Sequence, residues 1–464
     1  MAKAERINAL VNAFMWGPAM LVLFMFVGIY LSIKCGFVQL KIRTIYDKTL
    51  GALLTHKENK NKAALSPFQA MTSALAGTVG TGNIAGVALA VLYGGAGTVF
   101  WMWVSASFGM CTKYAEILLA MRYRHRLADG GYRGGAMYYI EYGLGRRMRP
   151  LAVAFALFGC GASFGIGNVA QGTEIASAAQ ELFGAPREMT GLCLAIVVGI
   201  IIIGGIKRVG AVTSVLVPTM SVLYLLAGLY VIIIRMQGVP AMLAEIFTEA
   251  FSPRAMGGGI INAIRLGVSR GVFSNEAGLG SAPMAHAAAE TDEPCEQAMW
   301  GIFEVFVDTM VICSITAFAL LLSGVCEDGN TAQYMSGTAA TAAAFDTILH
   351  NGYGGILIKL SVILFAVSSM VCWSYYGECC VAYLTRDSRV AVHVYKVLFT
   401  AVCFAGAVGT GTMMWSVSDT LNALMAVPNL TAVMLLSGSV TAMTQAYFKK
   451  NKGNGKNTVA DTGE

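Results

Sequence analysis

Most of the chain consists of long segments with almost no charge, and this limits its possible folds more than any other feature. Runs such as LVLFMFVGIYL at 21–31 and LCLAIVVGIIIIGG at 192–205 are continuously apolar. Of 464 residues, 56% are apolar and 12% charged, about half the charged share of an ordinary soluble domain. A water-soluble globule is excluded. A transmembrane β-barrel would show alternating residues and long polar loops, and these runs show neither. With roughly 20 residues per transmembrane helix, the sequence reads as an all-α polytopic membrane protein.

Hydropathy and Gly, Pro and polar punctuation predict eleven spans near 14–37, 66–93, 96–121, 150–183, 189–206, 210–235, 256–287, 297–324, 353–384, 390–410 and 415–438. Residues 39–64 read as an amphipathic helix at the membrane surface. Short helices are expected near 240–251 and 339–349, and the polar tail from Lys449 is expected to be disordered. Most cysteines, Cys111, Cys160, Cys313 and Cys372 among them, lie inside apolar runs and read as small hydrophobes, not as a disulfide framework. The net charge of +6 is spread over short loops, which argues for topology and against nucleic-acid binding. An apolar run from Phe14 to Tyr30 follows Lys3 and Arg6 without a small-x-small cleavage site, the pattern of a retained first helix. Lys and Arg concentrate in the first, third, fifth and ninth loops and the tail, so the positive-inside rule places the N-terminus outside and the C-terminus in the cytoplasm of a multi-pass cell (inner or plasma) membrane protein.

Two spans are unlike the rest. The second carries ALAGTVGTGNIAGVA at 74–88, with Gly77, Gly80, Gly82 and Gly86 in its middle. Each glycine costs roughly 1 kcal/mol of helix propensity, so a turn should unwind there, and the freed backbone must line a polar cavity or bind something. The new half-helix N-terminus near Thr81–Asn83 suits a carboxylate. The seventh span repeats the pattern in GVSRGVFSNEAGLGSAP at 267–283. Either cluster alone reads equally well as a close-packing surface. Two at corresponding positions, each with Asn, favour a transporter built on an inverted repeat. The organisation is then an N-terminal transmembrane helix (1–40), a cytoplasmic amphipathic segment (41–65), a first five-helix repeat (66–235), an extracellular connection (236–255), a second, inverted five-helix repeat (256–438) and a cytoplasmic tail (439–464).

The stretches ALAGTVGTGNIAGVA, YGGAGTVFWMWVSASFGMCTKYAE, GIGNVAQ, GVFSNEAGLGSAP and FAVSSMVCWSYYGE resemble the alanine-or-glycine:cation symporter family of bacteria and archaea over nearly the whole chain. The resemblance implies a leucine-transporter-like core of five plus five inverted helices, with one extra N-terminal helix, that couples uptake of a small neutral amino acid to sodium entry. It places the substrate carboxylate at the amides of Gly80, Thr81 and Gly82, with Thr78 and Asn83 supplying side-chain contacts. Gln171 faces the same cavity, Phe273, Ser274 and Asn275 contribute from the seventh span, and Trp373 forms an aromatic wall. The sodium ligands it implies are the carbonyls of Ala76, Val79 and Phe365 and the hydroxyls of Ser368 and Ser369. The two serines, taken alone, read more readily as bonding back to their own helix.

Arg265, Arg270, Glu276, Glu304 and Asp308 are expensive inside a membrane and read as structural or gating pairs. Lys113, Glu116, Lys359, Glu378 and Lys396 are expected near helix ends, where long side chains snorkel. Cys372 stands where the family more often has Gly, and Cys160 and Ser163 are further departures. The expected function is sodium-coupled symport of alanine or glycine by a monomer in the lipid bilayer. The alternatives are a sodium- or proton-coupled carrier of glutamine or serine, or a non-cycling channel or sensor. An enzyme is disfavoured, because the five histidines are dispersed and no catalytic motif is present.

Overall fold

The computed structural model describes residues 2–53, 63–252, 259–326, 336–350, 352–409 and 412–460. Parts of the expected amphipathic segment (54–62), of the connection (253–255) and of the tail (461–464) lie outside the described residues. The rest is almost entirely helical, with one small antiparallel pair, His125–Arg126 on Tyr132–Arg133.

Every one of the eleven apolar segments carries a helix. Among the described residues six are long and apolar enough to cross a membrane: Glu5–Lys34, Arg146–Phe183, Gly205–Ile234, Pro294–Ser323, Tyr353–Leu384 and Arg389–Val408. Two further candidates are bent pairs, Pro67–Thr78 with Gly82–Gly94 at 51° and Ser416–Leu435 with Ser437–Asn451 at 58°. The short helices appear as Val239–Glu249 and Gly337–Leu349. The outside of the bundle is greasy: Ile196, Ile200, Ile203, Leu223, Leu226 and Ile233 are each more than half exposed, a surface that water would not tolerate and lipid does.

The structure differs from the sequence reading at two places in the periphery. The amphipathic segment is broken at Thr49 into Ile42–Lys48 and Leu50–Leu53. The chain after Lys449 is helical, the last turns of Ser437–Ala460. That helix is anchored by buried Val440 and Thr444 and by a bond between Thr444 and the Tyr114 hydroxyl (3.1 Å), contacts invisible to local composition.

The centre is built from the helices that carry the site. Gly97–Arg122 packs on Gly259–Asn275 and Pro294–Val305, and Tyr353–Leu384 packs on Arg149–Phe164, Gln171–Phe183 and Pro67–Thr78. Pro67–Thr78 starts on a capping box, in which the Gln69 amide donates to Ser66 Oγ and the Ser66 amide to Gln69 Oε1, both at 3.1 Å. This fixes the approach of the helix to its break.

Candidate functional site

The first break falls where the glycines predict it. Pro67–Thr78 ends, Val79 turns extended (φ −77°, ψ 94°), and the chain resumes as a widened π-type turn at Gly82–Gly86. Thr81 and Gly82 begin the new half-helix, so their amides have no preceding turn to bond to. The second break follows Gly259–Asn275. Glu276 takes φ +54°, Gly278 +95° and Gly280 +81° before Pro283–His286. Such angles are easy for glycine and cost a non-glycine residue about 1–3 kcal/mol. Ser281 donates to the Glu276 carboxylate, and Asn429 donates to the freed carbonyl of Gly278 at 2.8 Å.

A cavity of about 280 Å³ lies between the two breaks, near the low end for small-molecule pockets. Thr78, Gly80, Thr81, Gly82, Gln171, Phe273, Ser274 and Trp373, all expected at the site, line it together with Ser369. A second widened turn, Gly165–Ala170, supplies Ile166 and Val169 and positions Gln171. Trp373 is buried and stacks edge-on against Tyr376 (5.4 Å). Phe273 meets Trp16 edge-on at 5.9 Å and carries the Arg270 guanidinium 5.8 Å over its ring. The first span, which the sequence reading sets outside the repeat, therefore touches the site.

Asn83 and Asn275, also expected at the site, are not among the residues that line the cavity. Asn83 is fully buried and accepts from the Gly80 amide (2.9 Å). It donates to Ser274 Oγ (2.9 Å) and to Asp308 Oδ1 (2.6 Å). Asn275 donates to Thr309 Oγ1 (3.1 Å) and accepts from the Ala277 amide (3.0 Å). Each amide serves groups that the broken helix itself leaves unpaired, a demand that precedes any ligand.

The implied sodium ligands come together in part. Ser369 Oγ lies 3.1 Å from the Ala76 carbonyl and 3.5 Å from that of Val79, bridging the first break to helix Tyr353–Leu384. Ser368 Oγ instead donates back to the Phe365 carbonyl at 2.8 Å. Among the described residues no three His, Cys, Asp or Glu side chains form a metal cluster, and the groups that meet at Ser369 are neutral oxygens. The close approach depends on glycine: a Cβ on Gly80 would stand 2.6 Å from Ser369 Oγ, and one on Gly77 would stand 3.0 Å from Cys372 Sγ.

Among the further lining residues that the sequence does not place there are the charged or amide-bearing Glu174, Arg270, Glu276 and Asn422. Arg270 and Glu276 lie within the second break motif and Asn422 is a polar residue in an apolar span, so a signal exists for these three. Gln171 Oε1 and Asn422 Oδ1 are buried acceptors without a protein partner, open to a donor in the cavity. Lys113 and Glu116, expected near helix ends, are also corrected. Both lie fully buried well inside Gly97–Arg122. Lys113 meets Glu304 at 3.4 Å, His286 meets the same carboxylate at 3.0 Å, and Asn429 donates to Glu116. Glu378 pairs with Lys396 at 3.0 Å and Lys359 with Glu181 at 2.8 Å. Ser163 bonds Tyr395 at 3.0 Å, away from the cavity.

A helical bundle in which two interrupted helices face each other across a small, largely neutral cavity has the form of a secondary transporter of the leucine-transporter type. The solved structure of MhsT in complex with L-phenylalanine has this fold. It superposes with a TM-score of 0.58 over 81% of this chain and 91% of that one, at 14% identity. Residues 1–462 match the sodium:alanine symporter family. The sodium/alanine symporter AgcS of Methanococcus maripaludis is 43% identical over 96% of this chain and 98% of its own length. The probable sodium/glutamine symporter GlnT of Bacillus subtilis is 35% identical over 98% and 93%. The chain belongs to the sodium:alanine symporter family and is a multi-pass membrane transporter, not an enzyme.

Proposed function

We propose that the protein couples the inward movement of sodium to uptake of alanine or glycine by alternating access. The observation that carries this reading is the meeting of Ser369 Oγ with the Ala76 and Val79 carbonyls at the helix break. Three oxygens from two helices already converge there, and rotation of the Ser368 hydroxyl away from the Phe365 carbonyl adds two more. A monovalent hard cation takes such oxygens without a carboxylate, as other hard cations take oxygen ligands. Sodium bound here ties the broken helix to Tyr353–Leu384.

The amino acid lies with its carboxylate at the Thr81 and Gly82 amides, where the half-helix dipole favours negative charge. Its ammonium satisfies Gln171 Oε1 and Asn422 Oδ1. Trp373 and Phe273 bound the side-chain space, which favours a hydrogen or methyl substituent. The chain crosses the cell membrane eleven times, as five plus five inverted helices after one N-terminal helix, with the N-terminus outside and the C-terminus inside, and works as a monomer.

The kinship with GlnT favours one second reading, a carrier of a larger neutral amino acid such as glutamine. Equilibrium binding of labelled alanine to the purified protein in sodium or potassium chloride, with unlabelled glycine, serine, glutamine and leucine as competitors, separates the two. The proposal expects sodium-dependent binding displaced by glycine and not by glutamine; displacement by glutamine at alanine-like concentration selects the second reading.

A further inference from the structure

At the end of the bundle that carries the basic loops, the turn after helix Pro18–Lys34 and the helix Ser437–Ala460 enclose a second cavity of about 480 Å³ that shares no residue with the first. Lys34, Lys41 and Lys449 line it, and among the described residues no Asp or Glu does. Glu293 and Glu296, at the start of the neighbouring helix, are engaged by Lys450 (2.5 Å) and Lys48 (2.8 Å). Three basic side chains thus share the described wall of the cavity.

Its walls also suit a lipid. The Lys41 ammonium stands 3.4 Å from the centroid of the Phe448 ring, which holds that lysine at the cavity wall. The chain turns sharply through Gly36 (φ +63°) and Phe37 (φ +50°), bringing Lys34 and Lys41 to one opening. Between and beside these lysines, Ile33 is 62% exposed, Leu40 70% and Ile42 73%. Alternating lysines and outward apolar side chains is the pattern of a segment seated at a membrane interface. Basic pockets between transmembrane helices on that side accept acidic headgroups. A free phosphate would satisfy the lysines but leave the apolar rim without a role.

We propose that this cavity binds the headgroup of an anionic phospholipid, its phosphate held by Lys34, Lys41 and Lys449 and its acyl chains lying along Ile33, Phe37 and Leu40. The bound lipid bridges the first span to the C-terminal helix, outside the transport path.

The test is titration of the full-length protein in detergent with phosphatidylglycerol, with bound lipid counted by native mass spectrometry. The wild type should retain a phosphatidylglycerol that Lys34→Gln/Lys41→Gln/Lys449→Gln loses, affinity falling roughly fivefold for each lysine removed. Lys207→Gln/Arg386→Gln/Arg389→Gln, which removes as much charge elsewhere, should keep it. Equal retention by the first triple variant, equal retention of phosphatidylcholine by the wild type, or displacement by inorganic phosphate at matching concentration would each overturn the proposal. All three substitutions sit at exposed or half-buried side chains, and an unchanged melting temperature without lipid verifies that the fold is intact.

Discussion

Ser369 Oγ lies 3.1 Å from the carbonyl oxygen of Ala76, a residue 293 positions earlier in the chain. The contact crosses from an intact helix to the last turn before a broken one. It gives the proposed ion site a geometry that Ser368, bonded back within its own helix at 2.8 Å, does not share. Ser369→Ala should therefore raise the sodium concentration for half-maximal alanine binding roughly ten- to a hundredfold, the loss of one hydrogen-bonding oxygen to a charge. Ser368→Ala should cost less. Sodium titrations of alanine binding compare the two, and equal effects would count against the asymmetry.

Gly80 and Gly82 make a second comparison. A methyl on Gly80 meets Ser369 Oγ at 2.6 Å, whereas one on Gly82 meets the Phe273 ring at an ordinary 3.4 Å. Gly80→Ala should abolish alanine binding in a folded, membrane-inserted protein, and Gly82→Ala should retain it. Scintillation binding with a parallel thermal melt checks both, and retained binding in Gly80→Ala would show that the break need not stay closed on helix Tyr353–Leu384.

Asn83 holds the Gly80 amide, Ser274 and Asp308 together. Asn83→Ala takes this partner from the Gly80 amide and from Asp308 Oδ1 at roughly 1–3 kcal/mol each, so it should lower the melting temperature and remove binding. A variant with weakened alanine affinity but wild-type stability would instead give Asn83 a direct place at the ligand.

Lys113 and Glu304 form a fully buried pair. Breaking such a pair costs about 3–5 kcal/mol because a buried charge loses its ionic partner, and here His286 is left beside the Glu304 carboxylate. Lys113→Met should therefore destabilise strongly, and Lys113→Met/Glu304→Gln should recover part of the loss. Thermal unfolding of the single and double variants reads the coupling; additive losses would mean that the two side chains do not interact.

The helix breaks were legible because glycine acts through local propensity, and Gly80 and Gly278 need only the sequence to announce them. Gln171, Trp373 and Ser369 were legible only through a family resemblance, since neutral side chains in an apolar helix give no local hint of what they face. Asn83 and Asn275 bond to the Gly80 and Ala277 amides, a use of these side chains that the sequence does not announce. A polar side chain beside a broken turn can serve a ligand or the chain's own freed amides, and only coordinates show which. Lys113 was read as a snorkelling residue, because its partner Glu304 is 191 positions away and pairing at that range leaves no periodic trace.

Trp373 and Phe273 wall the cavity. Trp373→Ala should admit larger neutral amino acids such as leucine while weakening alanine binding through lost packing, by roughly 1–3 kcal/mol per methylene-sized misfit. Competition by a panel of unlabelled amino acids measures this in wild type and variant. Leucine competing as well as alanine in the wild type would remove the size argument.

The most direct test is uptake of labelled alanine into proteoliposomes that hold the wild type or Ser369→Ala, under an inward sodium gradient, an inward proton gradient, or neither. The account predicts concentrative uptake in the wild type with sodium alone, no accumulation when potassium replaces it, and loss of sodium-driven accumulation in Ser369→Ala. Full accumulation driven by protons without sodium, or sodium-driven uptake unchanged in Ser369→Ala, would contradict it.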